Sequence, residues 1–209
     1  MLKRRAVKVL VFLLCLAPIF WLGWRAWNRD LTPNPIEFIT RYTGDWTLRM
    51  IVITLAVSPV RKLLNQPELI RFRRMIGLFA FFYGCLHFTT YLWLDKFFEW
   101  SEMVKDIGKR PFITAGFTAF VLMVPLALTS TKGWIRRMGG KRWQLLHRLI
   151  YGSAIVGVIH YYWLVKSDIR DPVLYGVLVT ILLLWRAAAW WAKRSTTPVA
   201  AGRLKSAPQ

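Results

Sequence analysis

The sequence predicts an all-α integral membrane protein, a bundle of about six transmembrane helices with both termini in the cytoplasm. Three observations carry this. Of the 209 residues, 56% are hydrophobic and 12 are Trp, more tryptophan than a soluble domain of this size needs. Apolar runs close to 20 residues long recur along the chain, and about 20 helical residues at ~1.5 Å each cross a hydrocarbon core of roughly 30 Å. The formal charge of +20 is concentrated in short segments between those runs. That distribution sets membrane topology and excludes nucleic-acid binding as the reason for the charge. Helix is the expected form because backbone polar groups in lipid must bond within their own segment.

The spans fall at about 7–27, 46–64, 75–94, 112–130, 148–165 and 173–192. The first run follows Met1 to Arg5 and continues through Pro18, Trp21 and Trp24 without a small-residue cleavage site, so it reads as an uncleaved helix and not a signal peptide. Pro18, Pro59 and Pro125 lie inside spans and should kink them or free a carbonyl. Cys15 and Cys85 each sit in an apolar run, a poor disulfide framework, and no C-x-x-C-H is present, which excludes covalent c-type haem. No internal sequence repeat and no separate soluble domain is visible. Residues 1–194 read as one membrane domain; 195–209, polar and containing Pro198 and Pro208, reads as a disordered cytoplasmic tail.

Charge assigns the sides. Segments 1–8, 61–74, 131–148 and 186–209 hold 20 of the 30 Lys and Arg and a single acid, Glu68. The other three connecting segments hold eight basic residues and nine acids: Asp30, Glu37, Asp45, Asp95, Glu99, Glu102, Asp106, Asp168 and Asp171. Basic short loops stay cytoplasmic. Trp21, Trp24, Trp27, Trp46, Trp93 and Trp163 then mark the outer interface, and Trp134, Trp143, Trp185, Trp190 and Trp191 the inner one.

The chain has three histidines, all in or beside spans. Polar groups in a membrane are costly and tend to mark function, and neutral imidazole is the usual axial ligand of b-type haem. His87 lies 13 residues beyond Arg74, and His160 lies 13 beyond His147. Both are therefore about 20 Å from the inner edge, at one depth in the outer half, on spans running the same way. A haem b between them, one imidazole on each face, is the expected site. The bland alternative for either histidine alone is a hydrogen bond to a neighbouring helix. His147 sits at the inner face beside Lys141, Arg142 and Arg148. It is left open between a second haem, a quinone or flavin contact, and a structural interfacial role. A second haem would need a partner where Arg73 and Arg74 stand, and arginine stays protonated and does not ligate iron. Arg73 and Arg74 belong to a basic inner surface suited to anionic membrane lipids, a flavin phosphate or an acidic partner. No G-x-G-x-x-G or P-loop pattern is present, so no nucleotide domain is built in.

At these positions the chain resembles a known family. The strings are Arg73-Arg74-Met75-Ile76-Gly77-Leu78, Leu86-His87 with Tyr91, and Arg110-Pro111-Phe112-Ile113-Thr114-Ala115-Gly116. Leu128-Thr129-Ser130, Trp143-Gln144-Leu145-Leu146-His147-Arg148-Leu149-Ile150-Tyr151 and His160-Tyr161-Tyr162-Trp163 follow. In this order, from first span to sixth, they are similar to the haem-binding membrane subunits of periplasmic methionine sulfoxide reductase systems. More distantly they resemble the ferric-reductase-like transmembrane domain of NADPH oxidases and STEAP metal reductases. Oxidases of that group carry two stacked haems on four histidines. Here His87, His147 and His160 match three of those positions, and Arg73 or Arg74 stands at the fourth. The resemblance implies an electron-transfer subunit of a bacterial inner membrane complex, without a substrate-reducing site of its own. It would draw on the quinone pool and pass electrons through haem to a periplasmic molybdopterin-dependent catalytic subunit, supporting repair of oxidised periplasmic proteins. Flavin mononucleotide (FMN) is a further cofactor that the resemblance implies. The competing readings are a transmembrane ferric or cupric reductase using the same haem, and a small transporter, which would show broken helices with polar midplane residues.

Overall fold

A computed structural model describes residues 2–195, so the expected disordered tail, beyond Ser195, lies outside the described residues. Among those residues the secondary structure is helical, with no strand. The helices are α1 (Leu2–Trp27), α2 (Pro35–Leu63), α3 (Ile70–Thr89), α4 (Trp100–Lys109), α5 (Pro111–Leu128), α6 (Lys132–Met138), α7 (Gly140–Leu146), α8 (Leu149–Leu164) and α9 (Arg170–Ser195). A 3-10 turn (Pro67–Leu69) leads into α3, and a wider π-helical turn (Thr90–Asp95) extends it.

The six segments expected as spans fall on the helices α1, α2, α3, α5, α8 and α9, with ends that differ by up to eleven residues, at α2. Four segments are long and apolar enough to cross a membrane: Arg5–Trp27, Pro67–Asp95, Pro111–Leu128 and Arg170–Ala192. α2 falls short by composition, with Asp45 and Arg49 inside it, and α8 by length, at 16 residues. These two occupy the middle of the bundle: α2 packs on α3, α8 and α9, and α8 packs on α2, α5 and α9. A helix shielded by neighbours tolerates polar groups that a lipid-facing one does not. The hydroxyls of Thr43, Thr47 and Thr54 on α2 all bond back to carbonyls of their own helix. The core runs through Ile51, Leu55, Ala80, Tyr83, Met123 and Ala154. Leu13, Phe20, Val121, Ile181 and Leu184 lie bare on the outside, as lipid-facing residues do.

All three prolines lie inside helices. Pro59 lacks the N–H that would bond the Leu55 carbonyl four residues back, and the Arg186 side chain fills that gap from α9 at 2.5 Å. Near Pro18, the Tyr83 hydroxyl donates to the Cys15 carbonyl (2.8 Å) and Tyr42 to that of Pro18 (3.0 Å). The segment between α3 and α5, expected as a plain loop, folds a short helix, α4. It is fixed by Asp106, whose side chain is 9% exposed and bonds Lys96 (2.5 Å) and Arg110 (3.3 Å).

Candidate functional site

The bundle contains two closely packed helix pairs, α2 with α3 and α5 with α8. Each pair builds the same local device. In the first, the His87 ring of α3 lies over Gly44 of α2, where an added Cβ would stand 3.0 Å from Cε1. Its Nδ1 donates to the carbonyl of Thr40, 2.9 Å away and four residues before that glycine. In the second, the His160 ring of α8 lies over Gly116 of α5, where a Cβ would stand 2.8 Å from Cε1 and Nδ1. Its Nδ1 donates to the carbonyl of Phe112 at 2.6 Å, again four residues before the glycine. No repeat is legible in the sequence, yet carbonyl, glycine and histidine recur in one geometric relation. The separations along the chain are 47 and 48 residues.

The chemistry follows from the acceptors. A carbonyl only accepts, so Nδ1 carries the proton in both rings and Nε2 keeps its lone pair. Among the described residues neither Nε2 has a hydrogen-bond partner. The two ring centroids lie 6.1 Å apart, with the ring planes inclined at 68°. Two imidazoles flanking one metal ion, with bonds of about 2 Å on each side, need a centroid spacing of about 6 Å. The donor set, its tautomers and its spacing are compatible with one metal ion, such as the iron of a haem, held between two imidazoles. Phe88, the next residue after His87, packs against Phe117 and Phe120 of α5, and Phe112 lies against the His160 ring.

The outer end of this site is braced. The π-helical turn begins three residues after His87, and Thr90 Oγ1 donates to the His87 carbonyl (2.7 Å). Asp106 then ties Lys96, just past that turn, to Arg110, which opens α5 ahead of Phe112. The hydrogen bond from Lys96 holds the Asp106 carboxyl below the usual carboxylate range. On the other side of the bundle Arg49 reaches from α2 to the Tyr175 hydroxyl of α9 (2.9 Å) and lies over Trp46.

The remaining site candidates are elsewhere. His147 caps the end of α7, stacked on Trp143 at 3.7 Å. Its Nδ1 donates to the Trp143 carbonyl (3.0 Å), and its Nε2 lies 3.4 Å from Ser130 Oγ, whose own hydrogen goes to the Leu126 carbonyl (2.7 Å). Burial keeps this imidazole below its ordinary value, and the nearby charge of Arg73 acts in the same sense. Arg73 is half-buried, whereas Arg74 is exposed. Gly44, Gly116, Thr40 and Phe112 were not singled out as site residues by sequence reasoning. The one signal was that Phe112 and Gly116 share a family-like string, since glycine by itself is common in membrane helices.

Fold and site together define a multi-pass helical membrane protein built around a pair of oriented imidazoles. The family model for "Ferric reductase like transmembrane component" matches residues 43–158, a stretch that holds Gly44, His87 and Gly116 and stops two residues short of His160. A protein-methionine-sulfoxide reductase heme-binding subunit MsrQ from Herminiimonas arsenicoxydans is 53% identical over 94% of this chain and 91% of its own length. The subunit of that name from Caulobacter vibrioides is 48% identical over 94% and 92%. That from Azospira oryzae is 52% identical over 92% and 86%. The chain belongs to this family of MsrQ subunits, within the ferric-reductase-like transmembrane components.

Proposed function

We propose that this chain is a six-span electron-transfer subunit of a bacterial inner membrane, with both termini cytoplasmic, that holds haem b between His87 and His160. It takes electrons from the quinone pool and passes them to a periplasmic molybdenum-containing methionine sulfoxide reductase, its partner in a heterodimer. The observation that carries the reading is the pair of Nδ1-anchored imidazoles with open Nε2 atoms and centroids 6.1 Å apart. The relatives' names, heme-binding subunits of a protein-methionine-sulfoxide reductase, supply the class of partner.

Bound haem supplies a one-electron redox centre at its iron. The chain does the rest. The carbonyls of Thr40 and Phe112 fix the tautomers, and Gly44 and Gly116 let the rings lie against the neighbouring helices. Both ligands belong near the outer ends of α3 and α8, which suits delivery to an acceptor outside the membrane. The outer connections are too short to house a molybdenum cofactor, so sulfoxide reduction belongs to the partner. We assign His147 a structural role at the inner interface, because its ring stacks on Trp143 and its Nδ1 is tied to the Trp143 carbonyl. FMN as a further cofactor rests on the family resemblance alone.

The metal-reductase reading draws on the family model's description. Five of the nine outer acids (Asp30, Glu37, Glu102, Asp106 and Asp168) are already paired with Arg or Lys, which leaves less free carboxylate to attract metal ions. The absorption spectrum of the purified protein tests the proposal. A reduced b-type spectrum that appears on adding a quinol supports it. A haem-free protein, purified from haem-replete cells, overturns it.

A further inference from the structure

A groove of about 500 Å³ lies where the end of α4 meets α5 and α8, lined by Gly108 of α4, Thr114, Ala115 and Thr118 of α5 and Trp163 of α8. In the proposed orientation α5 starts at the outer face with Pro111, so Thr118 stands about 10 Å along the helix from that face. Thr114, Thr118 and Trp163 are exposed, so the groove opens toward lipid in the outer half of the bundle. It also adjoins the histidine pair. Gly116, which carries the His160 ring, falls between Thr114 and Thr118, and Trp163 follows His160 by three residues on α8. The two threonine hydroxyls are alike in what they offer. Each has one hydrogen and two lone pairs. The Thr118 hydroxyl donates to the Thr114 carbonyl (2.8 Å), and the Thr114 hydroxyl donates to the Ile107 carbonyl. Both hydrogens are spent, and both oxygens keep the capacity to accept. The Trp163 ring adds a flat aromatic wall. Such a groove, of small-molecule size, suits an apolar ring that carries hydroxyl donors. A lipid acyl chain would leave the acceptors unused.

We propose that this groove between α4, α5 and α8 binds a quinol, with the Thr114 and Thr118 oxygens accepting its hydroxyl hydrogens and its ring lying against Trp163. The inference rests on the quinone-pool reading given under the proposed function and specifies where the donor sits. It places the donor in the outer half and not at His147 on the inner face. Electron transfer weakens steeply with distance, and His87 and His160 belong to the outer half, so a donor dissolved in the membrane has to approach them there. The corresponding quinone has acceptor oxygens and no hydroxyl hydrogen, so the site holds the reduced form more tightly and releases the oxidised one. Gly108 leaves the groove its room: a Cβ added there meets nothing within 4 Å, so a larger side chain at 108 fills the groove without striking the backbone.

Calorimetric titration of the full-length, haem-loaded protein in lipid nanodiscs under nitrogen is the test, with Tm and the haem spectrum recorded for each variant. Tetramethylbenzoquinol is added to the reduced protein, the corresponding quinone to the oxidised protein, and the dimethyl ether of the quinol to both, so that no electrons move. The quinol should bind saturably and roughly ten-fold more tightly than the quinone or the ether. Thr118→Val should remove most of that preference and leave quinone binding unchanged, and Thr118→Ser, which keeps the hydroxyl, should restore it. Gly108→Leu should abolish binding of all three probes. If the ether binds as tightly as the quinol, the groove takes lipid-like molecules in general and the proposal falls. Equal quinol affinity in the native protein, Thr118→Val and Gly108→Leu overturns it as well. Haem reduction by quinol that persists in Gly108→Leu defeats the groove alone and leaves the quinone-pool reading standing. Selective quinol binding in the groove without haem reduction defeats the quinone-pool reading and leaves the site.

Discussion

Replacing Gly116 by alanine tests the glycine seat of His160 directly. The new Cβ would lie 2.8 Å from Cε1 and Nδ1 of the imidazole. Ordinary contact begins near 3.4 Å, so ring or helix must yield by about 0.6 Å. The same edge of the ring is held by the 2.6 Å bond to the Phe112 carbonyl, one turn before Gly116 on α5, so movement away from residue 116 lengthens that bond and turns Nε2 off its line. Overpacking of this kind costs about 1–3 kcal/mol, which corresponds to a loss of roughly 5- to 150-fold in haem affinity if it falls on the bound state. Gly44→Ala meets His87 at 3.0 Å and should do the same more mildly. Gly157→Ala, whose Cβ would find its nearest neighbour at 3.9 Å, is the control. The assay is haem titration of the purified apoprotein, with the reduced-minus-oxidised spectrum recorded at saturation. Native affinity and spectrum in Gly116→Ala, indistinguishable from Gly157→Ala, would refute the seat and with it the matched geometry of the two helix pairs.

Three further outcomes follow from the same structure. His87→Ala and His160→Ala should each remove most bound haem, while His147→Ala retains most of it. Equal loss in all three, read by haem content per protein, would return His147 to the ligand set. Reporter fusions after Gln209 and within 28–45 should read cytoplasm and periplasm, and the opposite reading at either point would end the six-span topology. Because Lys96 lowers the folded-state pKa of Asp106, its contribution to stability is present above the ordinary carboxylate value, about pH 4, and is lost as pH falls through the lower folded value. Asp106→Asn should therefore lower Tm at neutral pH and flatten the fall below about pH 4; an unchanged Tm–pH curve would remove Asp106 as the brace.

The two central histidines were legible because imidazole is rare in membrane helices and both stand at one distance from a basic inner edge. Their supports were not. Thr40 and Phe112 act through backbone carbonyls, which no side-chain pattern reveals, and Gly44 and Gly116 matter only once the ligand helix crosses them. The freed carbonyl at Pro59 was foreseeable, but its filling by Arg186 joins residues 131 positions apart, from Leu55 to Arg186, and needs the fold. Helix α4 was hidden among alternating charges that read as loop, because what fixes it is the tertiary pairing of Asp106 with Lys96. Composition placed residues 46–64 among the spans despite Arg49, and left Asp45 outside; α2 takes in both, and its packing on α3, α8 and α9 shows how the fold accommodates them.

Electron delivery to the sulfoxide reductase is the central claim, and stopped-flow absorbance of the reduced haem tests it most directly. With the periplasmic catalytic subunit and a methionine sulfoxide substrate added together under nitrogen, the haem should reoxidise rapidly and completely. With substrate omitted, it should stay reduced beyond the few electrons the partner itself stores. Rapid reoxidation by chelated ferric iron, with no effect of the sulfoxide reductase and its substrate, would contradict the claim and establish the metal-reductase reading in its place.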